Sequence, residues 1–129
     1  HEMEMAKIRV LVAEDNMVNQ KLIKIMLGKL DCEVRMVENG QMAIDEVQAK
    51  DYDIVLMDLQ MPIMGGVAAT KFIRQDLKNK VPIVALTASA LIEDRVESME
   101  SGMDDFLTKP IQVDRLKAVL SKWRTLASS

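Results

Sequence analysis

Two rhythms of apolar and polar positions take turns along this chain. Short runs rich in apolar residues occupy 8–13, 33–37, 53–57, 83–86 and 105–108. Runs of that length bounded by turn residues read as strands, and the near-continuous ones as strands buried on both faces. Between them lie stretches with helical spacing, at 17–30, 42–49, 66–77, 91–101 and 113–126. In the first, Val18, Leu22, Ile25, Met26 and Leu30 form the apolar face opposite Lys21, Lys24 and Lys29. Asp15 or Asn16 is placed to cap it. Ile44 and Val47 are the expected core pair of the second helix, and Thr70, Ile73 and Leu77 share a face of the third. The fourth has only Ile92, Val96 and Met99 as an apolar stripe, with Glu93, Asp94, Glu97 and Glu100 making the other face acidic. Leu116, Leu120 and Trp123 recur on the last. Asn39-Gly40 reads as a turn and Gly102 as a helix stop.

Strands separated by helices of this length imply βαβ units, a parallel sheet and right-handed crossovers. Five such units favour an open, doubly wound sheet over a barrel, which needs eight. The expected class is α/β: a flavodoxin-like (βα)5 fold, strand order 2-1-3-4-5, in a three-layer αβα sandwich. One domain spans 7–126, preceded at 1–6 by an extension or cloning remnant and followed by a tail at 127–129.

Composition narrows the class without choosing a function. The chain has 129 residues, 49% hydrophobic and 29% charged, which is ordinary for a globular domain. A net charge of −3 argues against a nucleic-acid surface. No apolar run approaches the roughly 18–20 residues of a membrane span. The single cysteine, Cys32, excludes an internal disulfide and suits a reducing compartment; a half-buried apolar role is its plain reading. The eleven methionines read as core filler.

The chemistry sits at the strand ends. The first strand ends at Glu14-Asp15, the third at Asp58, the fourth at Thr87 and the fifth at Lys109. In a parallel sheet these ends share one rim, and with the first and third strands adjacent the three carboxylates converge at the switch point. Clustered carboxylates repel unless a cation neutralises them. An all-oxygen set without His or Cys selects a hard ion such as Mg²⁺, which in turn suits a phosphate ligand. Lys109 is a point charge for a phosphoryl group, the Thr87 hydroxyl can donate to it, and a central carboxylate, Asp58, can accept it as an aspartyl-phosphate.

Glu14-Asp15-Asn16, Asp58 closing its strand, Met61-Pro62, Thr87-Ala88 and Lys109-Pro110 together resemble the receiver domain of two-component response regulators. The stretches Glu14 to Gln20 and Met57 to Pro62 look like receivers attached to hybrid histidine kinases. The resemblance implies that Asp58 accepts a phosphoryl group from a phosphohistidine on a histidine kinase or a histidine-containing phosphotransfer protein. It implies Mg²⁺ held by Asp15 and Asp58, by Glu14 mostly through water, and by the Gln60 backbone carbonyl. Lys109 would pair with the phosphoryl group, and the bond to Pro110 would be cis. Thr87 and Phe106 would form a switch pair, with Ser89 and Gln60 tuning hydrolysis. Gly65 departs from the family, which usually has Asp before the glycine at 66; this is expected to loosen the loop. Phe106 lacks the hydroxyl of a Tyr, so any switch there acts through packing. Met17 and Val18 are placed to dock a helical partner.

Each residue alone has an ordinary reading: Glu14-Asp15 as capping acids, Asp58 and Thr87 as turn residues, Lys109 as a solvated lysine, Phe106 as core. Their joint placement outweighs these. A Mg²⁺-dependent small-molecule phosphohydrolase is the alternative, but no second acid/base carboxylate is evident. A nucleotide or flavin module needs a Gly-rich loop where this chain puts acids. An interaction domain that has lost phosphotransfer fits poorly with a complete acceptor set. The expected domain is not an enzyme beyond its own phosphorylation and dephosphorylation, although a hybrid kinase containing it would be. It is expected to be cytoplasmic, or the cytoplasmic receiver of a membrane-bound kinase, and monomeric or weakly dimeric. It is either a stand-alone regulator or a receiver excised from a longer chain.

Overall fold

A computed structural model of the chain describes residues 7–88 and 91–128, with side chains as far as Trp123. The extension at 1–6, Ser89 and Ser129 lie outside the described residues. The elements alternate strictly: β1 (Ile8–Ala13), α1 (Met17–Lys29), β2 (Cys32–Val37), α2 (Gly40–Ala49) and β3 (Ile54–Asp58). They continue with α3 (Gly66–Gln75), β4 (Ile83–Thr87), α4 (Ile92–Ser101), β5 (Asp105–Thr108) and α5 (Val113–Ser128). All pairings are parallel, in the order β2-β1-β3-β4-β5. This is the expected flavodoxin-like order.

The sequence explains which strand goes where. β3 and β4 are buried at every position, as central strands with helices on both faces must be. β2 at the edge alternates, with Glu33 and Arg35 exposed between the half-buried Cys32, Val34 and Met36. The sheet separates two cores. Leu11, Val55, Met57 and Ile83 face Ile44, Val47 and Ile73 of α2 and α3. Val10, Ile54, Leu56 and Leu86 face Ile23 and Leu27 of α1 and Leu116 and Leu120 of α5. Each such side chain, fully buried, contributes about 1.5–3 kcal/mol, so these two layers hold the sheet rim rigid beneath the site.

Four expectations needed correction. The predicted inward face of α1 is only half right: Met26 and Leu30 pack against the core beside the buried Ile23 and Leu27, while Val18, Leu22 and Ile25 are turned out, at 66%, 48% and 57% exposed. The helix carries two apolar stripes, and periodicity does not say which one meets the sheet. Asn39-Gly40 is a helix start rather than a free turn: the Asn39 side chain caps α2 by accepting from the Met42 N–H at 2.9 Å. The stripe on α4 is also exposed, at 74% for Ile92, 47% for Val96 and 50% for Met99. Ser98 and Ser101 are that helix's buried residues, their hydroxyls spent on the Asp94 and Ser98 carbonyls. The expected tail is helical as far as Ser128. Methionine divides between the two readings, since Met57 and Met103 are buried but Met17 is 72% exposed.

Candidate functional site

The β1 end carries Glu14 and Asp15, and Asn16 then caps α1 by accepting from the Asn19 N–H at 3.0 Å. Glu14 is fully buried and bent back on its own loop, where its Oε2 accepts from the Asn16 N–H at 3.0 Å. β3 delivers Asp58, 6% exposed, whose Oδ1 accepts from the Gln60 N–H at 3.1 Å. From β4 comes Thr87, and its carbonyl accepts from the Lys109 N–H at 2.7 Å, which carries the ladder one step past β5. The Lys109–Pro110 peptide is cis.

These segments meet. Lys109 Nζ stands 2.8 Å from Asp58 Oδ2 and 2.8 Å from Glu14 Oε1. One carboxylate oxygen each from Glu14, Asp15 and Asp58 lies within 4.8 Å of the others. Burial pushes the Glu14 carboxyl up; Lys109 and the Asn16 N–H pull it down without cancelling that, and Asp58 adds to the rise. For Lys109, burial works to lower the ammonium, but hydrogen bonds to Asp58 and Glu14 prevail and leave it raised. The lysine is thus a fixed cation between two acids. Three carboxylates with oxygen donors alone, one exposed and two buried, form a set that can hold a hard metal ion.

The cluster opens into a cleft of about 460 Å³. Its neutral walls are Asn16 and Asn19 at the start of α1 and Gly65, Val67 and Ala68 at the start of α3. Gly66 is required there, because a Cβ would stand 2.3 Å from the Asp58 carbonyl oxygen. Gly65 has a packing role in this loop. Its missing Cβ admits the Leu59 carbonyl, which would stand 2.8 Å from it, and the Gly66 N–H donates to that carbonyl at 3.0 Å. The Gly40 N–H ties down the Met64 carbonyl at 2.8 Å as well.

The structure therefore gathers Glu14, Asp15, Asp58, Gln60, Thr87 and Lys109 around one cleft. Phe106 is not in its lining; it is half-buried on β5 with the Arg95 guanidinium 4.1 Å from its ring centre. Met17 and Val18 are exposed at the edge of the site. Sequence reasoning missed Asp94 and Glu97 of α4, which line the cleft. Their spacing of three on the helix after Thr87 was the available signal.

Fold and site together define a phosphoacceptor signalling domain. The chain belongs to the response regulator receiver domain family, whose pattern matches residues 10–121. It is 44% identical over 123 residues to the sensor protein GacS of Pseudomonas syringae pv. syringae, covering 92% of this chain and 14% of that protein. It is therefore comparable to a small part of that relative. The receiver domain of sensor histidine kinase PA1611 from Pseudomonas aeruginosa PAO1, solved with a magnesium ion in its active-site cleft, superposes with a TM-score of 0.86. That pair is 40% identical over 93% of this chain and 99% of the other. The receiver of Saccharomyces cerevisiae Ssk1, crystallised with the histidine phosphotransfer protein Ypd1, gives 0.88 at 34% identity, covering 93% and 90%.

Proposed function

We propose that Asp58 accepts a phosphoryl group from a phosphohistidine on a histidine kinase or phosphotransfer protein. The observation that carries this is Lys109 Nζ, 2.8 Å from both Asp58 and Glu14 inside a three-carboxylate cluster. The reading is supported by the Ssk1 receiver's complex with a phosphotransfer protein. The attacking atom is an Asp58 carboxylate oxygen. It forms a P–O bond as the P–N bond to the donor imidazole breaks, and the electron pair leaves on the ring nitrogen. Lys109 holds the negative charge that the phosphoryl oxygens bring, and the Thr87 hydroxyl is the donor on the other side.

Mg²⁺ is the cation proposed for Glu14, Asp15, Asp58 and the Gln60 carbonyl, in line with the magnesium in the PA1611 receiver. When bound, it would neutralise charge on the transferring group. Met17, Val18, Leu22 and Ile25 of α1 form the apolar surface proposed for the partner's helix. Ser89 and Gln60 are proposed to tune hydrolysis. The chain is proposed to act as the receiver of a hybrid histidine kinase, on the cytoplasmic side. Among the described residues no helix is long and apolar enough to cross a membrane.

The response is proposed to run through Thr87, Phe106 and α4. Moving a two-state element from 1:99 to 99:1 takes about 5.5 kcal/mol. Two or three charge-assisted hydrogen bonds of about 1.5–3 kcal/mol each supply that. α4 is suited to move because its buried positions are serines rather than apolar anchors. Incubation with a small phosphodonor, with and without Mg²⁺, followed by intact mass, tests the reading. One phosphoryl group is expected, dependent on Mg²⁺ and absent from Asp58→Asn; label that survives Asp58→Asn defeats it.

A further inference from the structure

The walls of the phosphoryl cleft differ in charge. The lining holds five carboxylates, Glu14, Asp15, Asp58, Asp94 and Glu97, and one ammonium, Lys109. Three of those acids belong to the acceptor cluster, but Asp94 and Glu97 do not. They come from α4, which has four acidic residues and a single base, Arg95. Arg95 does not line the cleft; its guanidinium lies over the Phe106 ring. Among the described residues, neither Asp94 nor Glu97 forms an ion pair. The walls from α1 and α3 are uncharged, built of Asn16, Asn19, Val67 and Ala68. An ordinary account covers half of this: Asp94 lies in the first turn of α4, where an acid is favoured by the helix dipole. Glu97 lies a turn further along, where that benefit has faded.

We infer that Asp94 and Glu97 are specificity-determining residues for the phosphodonor. This rests on the function proposed above and names the donor class the cleft admits. A free acyl phosphate reaches the cleft as an anion with no cation of its own and meets the α4 wall as a repelling surface. A phosphohistidine presented by a partner brings its phosphoryl group on a protonatable ring and lets the partner's own cations face that wall. The exclusion is one of charge rather than shape, because the cleft is open and roomy. It is therefore screened by salt. The α1 side, neutral and flanked by exposed Met17 and Val18, is left as the approach for the donor.

The test compares wild type, Glu97→Gln, Asp94→Asn/Glu97→Gln and Glu97→Lys, with saturating Mg²⁺, using acetyl phosphate and phosphoimidazole as donors. Intact mass gives the rate of single phosphorylation. With acetyl phosphate at about 0.01 M ionic strength, each charge removed is expected to raise the rate about 2–5-fold, with Glu97→Lys exceeding Glu97→Gln. At about 1 M, where the screening length is about 3 Å, the variants are expected to converge on wild type. With phosphoimidazole the gain is expected to be smaller. Glu97 is exposed, so Glu97→Gln leaves the fold intact and isolates the charge. Wild type phosphorylated at Asp58 with variants at its own rate, a gain indifferent to salt, or a gain as large with phosphoimidazole as with acetyl phosphate overturns this inference while leaving the acceptor assignment standing. Wild type that takes no phosphoryl group from either donor overturns both.

Discussion

The Arg95 guanidinium lies over the Phe106 ring, 4.1 Å from its centre, and joins α4 to β5. An arginine–aromatic contact of this kind at a partly exposed position is worth about 0.5–1 kcal/mol. If Phe106 turns inward when the domain is phosphorylated, that contact is lost, and Arg95 holds the resting state. Arg95→Ala should then cost about 0.5–1 kcal/mol in urea unfolding. It should also tighten binding of beryllofluoride, a phosphoryl mimic, by about 2–5-fold, since 1.4 kcal/mol is tenfold. Unchanged beryllofluoride affinity, with the stability loss present, would show that Phe106 keeps its place under Arg95 in both states.

Lys109 Nζ occupies the space between Glu14 and Asp58 from which a metal ion would also draw charge. Lys109→Met should therefore tighten Mg²⁺ binding several-fold while abolishing stable phosphorylation. In the metal-free protein it should also destabilise, by roughly 3–5 kcal/mol, because a fully buried Glu14 loses its cation. Mg²⁺ at ten times its Kd should raise the stability of wild type by about 1.4 kcal/mol, and chelation should remove that gain. Isothermal titration and melting in Mg²⁺ or EDTA measure both effects.

How far the sequence could be read depended on whether the signal was local. Strand ends were legible because a carboxylate or ammonium closing an apolar run must surface at the sheet rim, whatever the packing. Asp58 and Lys109 were found this way, and the structure brings their side chains to 2.8 Å. Helix orientation was not legible where two stripes competed: Val18, Leu22 and Ile25 are spaced as well as Ile23 and Leu27, and only the sheet decides. α4 misled for another reason. Its inward face is made of serines that satisfy their hydroxyls on their own backbone, so hydropathy pointed to the exposed side. Asp94 and Glu97 went unassigned because a cleft wall is a relation between elements distant in sequence.

Ile63 adopts φ 68°, and the Met64 N–H donates to the Pro62 carbonyl at 2.6 Å across it. That is a γ-turn centred on a β-branched residue in a region such residues avoid. The side chain is 85% exposed, so it gains little from packing in return. Ile63→Asn, which tolerates positive φ, should stabilise the protein by about 0.5–1 kcal/mol in chemical denaturation. It should not alter phosphorylation. A loss of stability would mean that Ile63 contributes contacts that exposure alone conceals.

Tyr52 and Glu46 form a pair whose two pKa shifts bracket a pH window. The Tyr52 hydroxyl donates to Glu46 Oε1, and Arg35 Nε lies 3.3 Å from Glu46 Oε2. Burial, then the Glu46 carboxylate, pushes the phenol up from 10.0 to about 12. The same hydrogen bond holds the Glu46 carboxyl below its ordinary value of 4.5. A raised phenol keeps its proton in the folded state after the unfolded chain has lost it. Its contribution is complete below pH 10 and disappears as pH climbs toward 12. The lowered carboxyl works in the opposite sense: its contribution is complete above the ordinary carboxylate range and fades as acid protonates Glu46. Tyr52→Phe should therefore cost about 0.5–1.5 kcal/mol at neutral pH, the value of one hydrogen bond. That cost should shrink toward both extremes. Urea midpoints measured from acid to alkaline pH for wild type and Tyr52→Phe test this, and parallel curves would show that the pair does not couple to folding.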